Sequence, residues 1–280
     1  MSIARLMQMA RAGVPTGGSD VWTDPDLANA SYDSVSFSVA GQELTPQGLS
    51  VSEDGGVVFI IGNTGDAVFQ YTLSAAWDLS SASYVSSLSV ASQSETNPQD
   101  LYVSLDGTQL YVIGTTLDSV LQYTLSTPWD LSSASYVRQK SISAQDGVPT
   151  GLYFKTDGLK MYVAGNNGDS VYEYDLSSAW DVSTASYVQA FSVATQETAP
   201  QAVSFNPDGS KMYIVGGVGQ NVLEYDLSSS WDISTAAHNA VSFSFSSQDA
   251  GPRGVDFKSD GSVMYMIGLV GDAIYQYSTA

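Results

Sequence analysis

The chain has 280 residues, no cysteine and a single histidine, His238, and its 29 acidic side chains against 9 basic ones give a net charge of −20. Disulfides and thiolate or histidine-rich metal centres are thereby excluded, a Ser-His-Asp or Cys-His arrangement has one base to draw on, and nothing offsets phosphate repulsion, so nucleic acid is no partner. Only 14% of the residues are charged, against about 25% in ordinary domains, so Ser, Thr, Asn and Gln must cover the surface.

Residues 1–21 stand apart. Ile3, Leu6, Met7 and Ala10 fall at i, i+3, i+4 and i+7, the apolar face of a short amphipathic helix with Arg5 and Arg11 opposite. Gln8 and Arg11 interrupt what a secretory signal would need as an apolar core, and no stretch is long enough to span a membrane. Gly13, Pro15, Gly17 and Gly18 then break the chain. Three readings stay open for this segment: a helix packed under the rest of the molecule, a docking peg that anchors it in a larger assembly, or disorder.

Residues 22–280 read as one domain built from a repeat. Trp-Asp-(Leu/Val/Ile)-Ser-(Ser/Thr)-Ala begins at Trp77, Trp129, Trp180 and Trp231, Asp-Gly recurs at Asp54, Asp106, Asp157, Asp208 and Asp260, and proline recurs at Pro46, Pro98, Pro149, Pro200 and Pro252. A period near 51 residues with four short apolar runs per unit is the pattern of a β-propeller. In the third unit the runs are 151–155, 160–165, 170–175 and 187–194, with Asp157-Gly158 as the first hairpin turn and Trp180–Ser186 as a polar turn holding one helical loop capped by Asp181. The fifth unit ends after its third strand, and 34–40 supplies the missing fourth. The expectation is an all-β, five-bladed propeller of four-stranded antiparallel blades, closed by an N-terminal strand that completes the last blade.

Strand parity puts the loops between second and third strands, and those between blades, on one face. That face collects Asp66, Asp118, Asp169 and Asp272, with Gln220 at the matching place in the fourth unit, and Gln42, Gln93, Gln145, Gln196 and Gln248, each followed by an acid. Three readings compete: hydrogen bonding to backbone groups left unpaired by tight loops, glycan binding through repeated amides and carboxylates, and a divalent cation, calcium above all, held by oxygen ligands. His238 takes the slot of Tyr84, Tyr136 and Tyr187, a structural substitution. Because the rim acids recur in every unit they suit equal binding sites, whereas catalysis needs unlike acids in an asymmetric pocket.

The pattern Pro-x-(Gly/Asp/Ala)-(Leu/Val)-x-(Val/Phe)-x-x-Asp-Gly-x-x-(Met/Leu)-Tyr-(Val/Ile/Met)-x-Gly, clearest over 149–165 and 200–216, resembles the YVTN and lactonase-like propeller repeats across Thr45 to Tyr277. The ring size is similar to that of tachylectin, a five-bladed lectin. The leader Met1 to Ala12 followed by Trp22-Thr-Asp-Pro-Asp-Leu resembles the starts of virion-associated proteins of tailed, particularly marine, bacteriophages. The lactonase branch implies metal-bound catalysis by carboxylates and histidines, and no rim position here is histidine. The resulting expectation is a non-enzymatic virion-surface protein, a capsid knob, head fibre or tail decoration. It would be held to other virion proteins by its N-terminal segment, would touch a host-surface glycan through the rim, and would need no catalytic residue and no cofactor unless calcium. A secreted, extracellular bacterial lectin or adhesin is the alternative, and a carboxylate glycosidase the third.

Overall fold

The computed structural model describes residues 22–280. The helix expected from the sequence, with its face of Ile3, Leu6, Met7 and Ala10, falls outside them. Strand β1 (Ser31–Ser38) is followed by a first blade of β2 (Pro46–Val51), β3 (Val57–Gly62), β4 (Ala67–Leu73) and β5 (Ala82–Ser89). The second blade is β6 (Pro98–Val103), β7 (Gln109–Gly114), β8 (Ser119–Leu125) and β9 (Ala134–Ser141). The third is β10 (Pro149–Phe154), β11 (Lys160–Gly165), β12 (Ser170–Leu176) and β13 (Ala185–Ser192), and the fourth is β14 (Pro200–Phe205), β15 (Lys211–Gly216), β16 (Asn221–Leu227) and β17 (Ala236–Ser244). The fifth takes β18 (Pro252–Phe257), β19 (Val263–Gly268) and β20 (Ala273–Ser278), and β1 pairs antiparallel with β20 to complete it. The ring is thus a five-bladed propeller, closed by joining both ends of the described chain in one sheet.

Each blade repeats the same local devices. Glycine of the Asp-Gly turn takes φ between 69° and 79°, the left-handed conformation that the hairpin requires. The Trp-Asp loop is a single 3₁₀ turn, Val182–Thr184 in the third blade, and Asp181 caps it by accepting from Ser183 N at 3.0 Å. The tryptophans also have positive φ, 61° to 66°, uncommon for so bulky a residue. Contacts with the preceding blade fix them there: Tyr111, Tyr162 and Tyr265 donate their hydroxyls to the carbonyls of Trp180, Trp231 and Trp77 at 2.6–2.7 Å. In the first blade Phe59 stands at that place, and Gln70 Nε2 reaches the Trp129 carbonyl instead, at 2.9 Å.

The fifth blade has no Trp-Asp loop of its own. Trp22 and Thr23 come in from the N-terminal side against Gly261, and Thr23 N donates to Asp260 O at 2.9 Å. The Tyr213 hydroxyl, which in a regular unit would meet the next Trp carbonyl, is buried without a partner. Ring closure therefore reproduces the packing of the repeat without all of its hydrogen bonds. The apolar cores lie between blades: Tyr111, Ile113 and Val120 of the second blade pack with Phe154, Met161 and Val163 of the third, and the same arrangement recurs around the ring.

Candidate functional site in the central ring

The rim suggested by the sequence is assembled as one face, and many of its polar groups are engaged with the fold, although Asp118 Oδ1 is buried without a partner. Glu43 is wholly buried and accepts from Thr45 N at 2.8 Å, Thr64 N at 2.9 Å and Gly65 N at 3.0 Å. Glu95, Asp146, Glu197 and Asp249 do the same in their blades. Burial raises the Glu43 carboxyl, but these N–H donors favour the charged form and carry it below the usual range. A Cβ on Gly62, Gly114, Gly165, Gly216 or Gly268 would overlap the neighbouring carboxylate, so glycine there makes room for it.

Of the glutamines, Gln42, Gln93, Gln145 and Gln196 accept from the hydroxyls of Tyr71, Tyr123, Tyr174 and Tyr225 at 2.7–3.4 Å. At Gln248 the pattern lapses, and the Tyr277 hydroxyl has no partner. Asp66, Asp118, Asp169 and Asp272 occupy left-handed turn positions at φ 44–47°, Gln220 one at 51°, and their carbonyls accept the N–H that follows each outermost strand, at 2.8 Å. Among the described residues no group of three or more His, Asp or Glu is placed to hold a metal ion.

The asymmetric chemistry lies elsewhere, on the innermost strands. β2, β6, β10, β14 and β18 are neighbours in a closed ring. Each bears a bulge after its proline, which turns Gln47, Gln99, Thr150, Gln201 and Arg253 out of the ladder. Next comes a layer of Gly48, Asp100, Gly151, Ala202 and Gly254, where a Cβ on Gly48 would overlap Asp100 and one on Gly151 would stand 2.7 Å from Ala202 Cα, so the strands meet almost backbone to backbone. Two residues further on stand Ser50, Tyr102, Tyr153, Ser204 and Asp256.

Asp100 and Asp256 thus occur once each in positions that other blades fill with small residues or tyrosine. Each carboxylate bridges two blades. Asp100 accepts from Leu101 N at 2.8 Å and from Leu152 N of the third blade at 2.9 Å; Asp256 accepts from Phe257 N and from Val51 N of the first blade, both at 2.8 Å. These donors are inner-edge N–H groups for which no further strand exists. Burial pushes the Asp256 carboxyl up to about 6, against the pull of its two N–H donors. Asp100 is raised well above the ordinary range, first by burial and then by Asp256 itself. Asp256 keeps part of its surface open although protein surrounds it, the environment of a narrow lumen. Tyr102 and Tyr153 stand beside it with ring centroids 5.4 Å apart, and both hydroxyls are held protonated by burial and by the Asp256 charge. The result is a pair of unlike carboxyls, both raised above the ordinary range by burial.

The sequence reading passed over Asp100, Asp256 and Arg253. The signal was available as departures from the repeat, above all the Asp in the third position of the second unit.

No protein-family model matches this chain, and no curated protein does. Solved structures do. A functionally unknown protein from Desulfotomaculum acetoxidans superposes with a TM-score of 0.52 at 11% identity over 80% of this chain and 65% of its own length. The luciferin-regenerating enzyme superposes with a TM-score of 0.52 at 14% identity, over 87% of this chain and 94% of that one. The periplasmic gluconolactonase of Pseudomonas aeruginosa gives 0.45 at 16% identity, over 69% and 52%. The chain spans just under two thirds of the Desulfotomaculum protein. At these identities the likeness establishes the propeller fold.

One expectation is corrected by these neighbours. The non-enzymatic reading, as a virion-surface protein or as a lectin, does not stand: a propeller named for an enzyme shares this fold, and the likeness to phage virion proteins is not shown. The rim acids that follow each glutamine, taken as part of a ring of binding sites, repeat because they brace loops, and two unlike carboxyls stand on the inner strands instead.

Proposed function

We propose that this propeller is a hydrolase working from its central ring, with Asp256 as the proton-transferring residue. The observation that carries the reading is the Asp100–Asp256 pair, one carboxyl buried and one partly open, from different blades, unlike in environment and absent from the other units. An ester or lactone carbonyl suits these groups. Ionised Asp256 takes a proton from water as the water oxygen bonds to the acyl carbon; the acyl C–O bond then breaks, and Asp256 returns the proton to the departing oxygen. Asp100 is a positioning residue: it ties the second blade to the third through Leu152 N, and its own proton affinity is raised by burial and by the Asp256 charge. The lactonase names among proteins of this fold agree with that reaction class.

The test is hydrolysis of a panel of lactones and aryl esters by the full-length protein and by Asp256→Asn. General acid–base catalysis predicts a loss of about 10²–10⁴-fold in kcat/KM, together with an ascending pH limb near 6 that the variant lacks. Turnover that survives the substitution with its pH profile intact would sink the assignment, as would the absence of hydrolysis across the panel.

A further inference from the structure

We propose that the five bulge positions of the inner strands form a binding site for a small oxyanion, with the Arg253 guanidinium as its charged contact and the amides of Gln47, Gln99 and Gln201 around it. The site is separate from the hydrolytic reading above: the close-packed layer of Gly48, Asp100, Gly151, Ala202 and Gly254 follows it along the strands, between it and the Asp256 layer.

Four observations carry the proposal. First, all five residues sit at one register position on adjacent strands, so the ring of strands gathers them at the mouth nearest the inter-blade loops. Gln47, Thr150 and Gln201 are buried there, at 5–7% exposure. Second, Arg253 breaks the series with the one permanent charge of the set. Third, that charge is under-partnered. Arg253 Nη1 donates to Gln201 Oε1 and Nε is buried without any partner, and among the described residues Arg253 has no ion pair. Fourth, the nearest acid offers no free oxygen: both carboxylate oxygens of Asp249 are taken by Gly251 N, Val270 N and Gly271 N. A partly buried guanidinium beside neutral amides is costly unless an external anion completes it, and its planar fork is matched to carboxylate or phosphate oxygens. Burial lowers the Arg253 proton affinity, and the Asp249 charge offsets this only in part. Gln201 is engaged at both ends and Gln99 Nε2 donates to Asn97, so the Gln47 amide and Gln99 Oε1 are the groups left to serve hydroxyls on the same ligand.

Carboxylate and phosphate share this chemistry, and two titrations distinguish them. Full-length protein is titrated calorimetrically and by thermal melting with glycolate and, separately, with inorganic phosphate, each against sodium chloride at equal ionic strength. Saturable binding and a rise in Tm with one of them identify the source. Arg253→Gln restores the residue that the first, second and fourth blades carry, so it is expected to melt cooperatively while binding at least tenfold more weakly. Asp256→Asn should bind the anion as the native chain does, which keeps this result independent of the catalytic one. Binding that survives Arg253→Gln, or a response to neither anion beyond that to chloride, overturns the proposal.

Discussion

The outer rim and the inner ring are built from the same residue types and behave oppositely. At the rim, Glu43, Glu95, Asp146, Glu197 and Asp249 repeat in every blade and spend their oxygens on loop N–H groups of their own blade. In the inner ring, Asp100, Asp256 and Arg253 occur once each, reach across to another blade, and retain unusual proton affinity or an unused donor. In a repeat protein, what recurs maintains the unit, because every copy must solve the same backbone problem. A departure from the repeat has no such duty, and the physical cost of a buried charge there points to function.

The comparison is most exposed to failure at the rim. Asp146→Ala removes the acceptor of Val148 N, Asn167 N and Gly168 N and of the Tyr172 hydroxyl. It should cost about 3–5 kcal/mol in urea unfolding, as stranded buried donors do. A loss under about 1 kcal/mol would mean that these acids are not braces.

The next effect is a pH dependence in the inner ring. Asp256 binds its proton more tightly folded than unfolded, so its contribution is full below about pH 4 and is lost as pH rises towards about 6. From the ordinary value of 3.8 to about 6, the native chain should lose roughly 3 kcal/mol relative to Asp256→Asn. Paired unfolding curves between pH 3.5 and 7.5 measure it, and parallel curves would show that Asp256 titrates normally. Asp181 contributes with the opposite sign. Ser183 and Arg138 hold its carboxyl below the usual range, so that stability is present above the unfolded value and falls away in acid.

A smaller effect is expected at the 3₁₀ caps. Asp181→Ala should cost about 1 kcal/mol through the lost Ser183 contact, and slightly more if the 2.5 Å pair with Arg138 of the second blade is effective in solution. The smallest belongs to the left-handed aspartates. Asn tolerates φ near 46° as well as Asp does, so Asp169→Asn should change stability by less than about 0.5 kcal/mol in the same assay.

Much of the fold was legible in the chain because the devices that make a blade are local. Asp-Gly marks each first hairpin, Trp-Asp each 3₁₀ cap, and the truncated fifth unit together with the spare strand after Tyr32 indicated how the ring closes. Boundaries moved by a few residues: the innermost strand of the third blade runs over 149–154 instead of 151–155, because the bulge lets proline pair with Gly165. The closing strand runs over 31–38, with a bulge at Ser34, whose φ is 60°. The candidate site was not legible in the same way. Gln42 and its equivalents carry polar groups in the right place for a ligand, but whether a tyrosine hydroxyl already occupies the amide depends on a residue 29 positions away.

The sequence by itself determined the number of blades, the strands within them, the phase of closure and the face on which each loop emerges, since these follow from periodicity and turn chemistry within about fifty residues. Only the tertiary structure decided which acids bond to the backbone of their own blade alone and which reach that of another. Hydrogen-bond satisfaction and desolvation are set by neighbours from other blades: Leu152 at Asp100, Val51 at Asp256, Gln201 at Arg253. Such partners are fixed when the ring closes, and no window of the chain contains them.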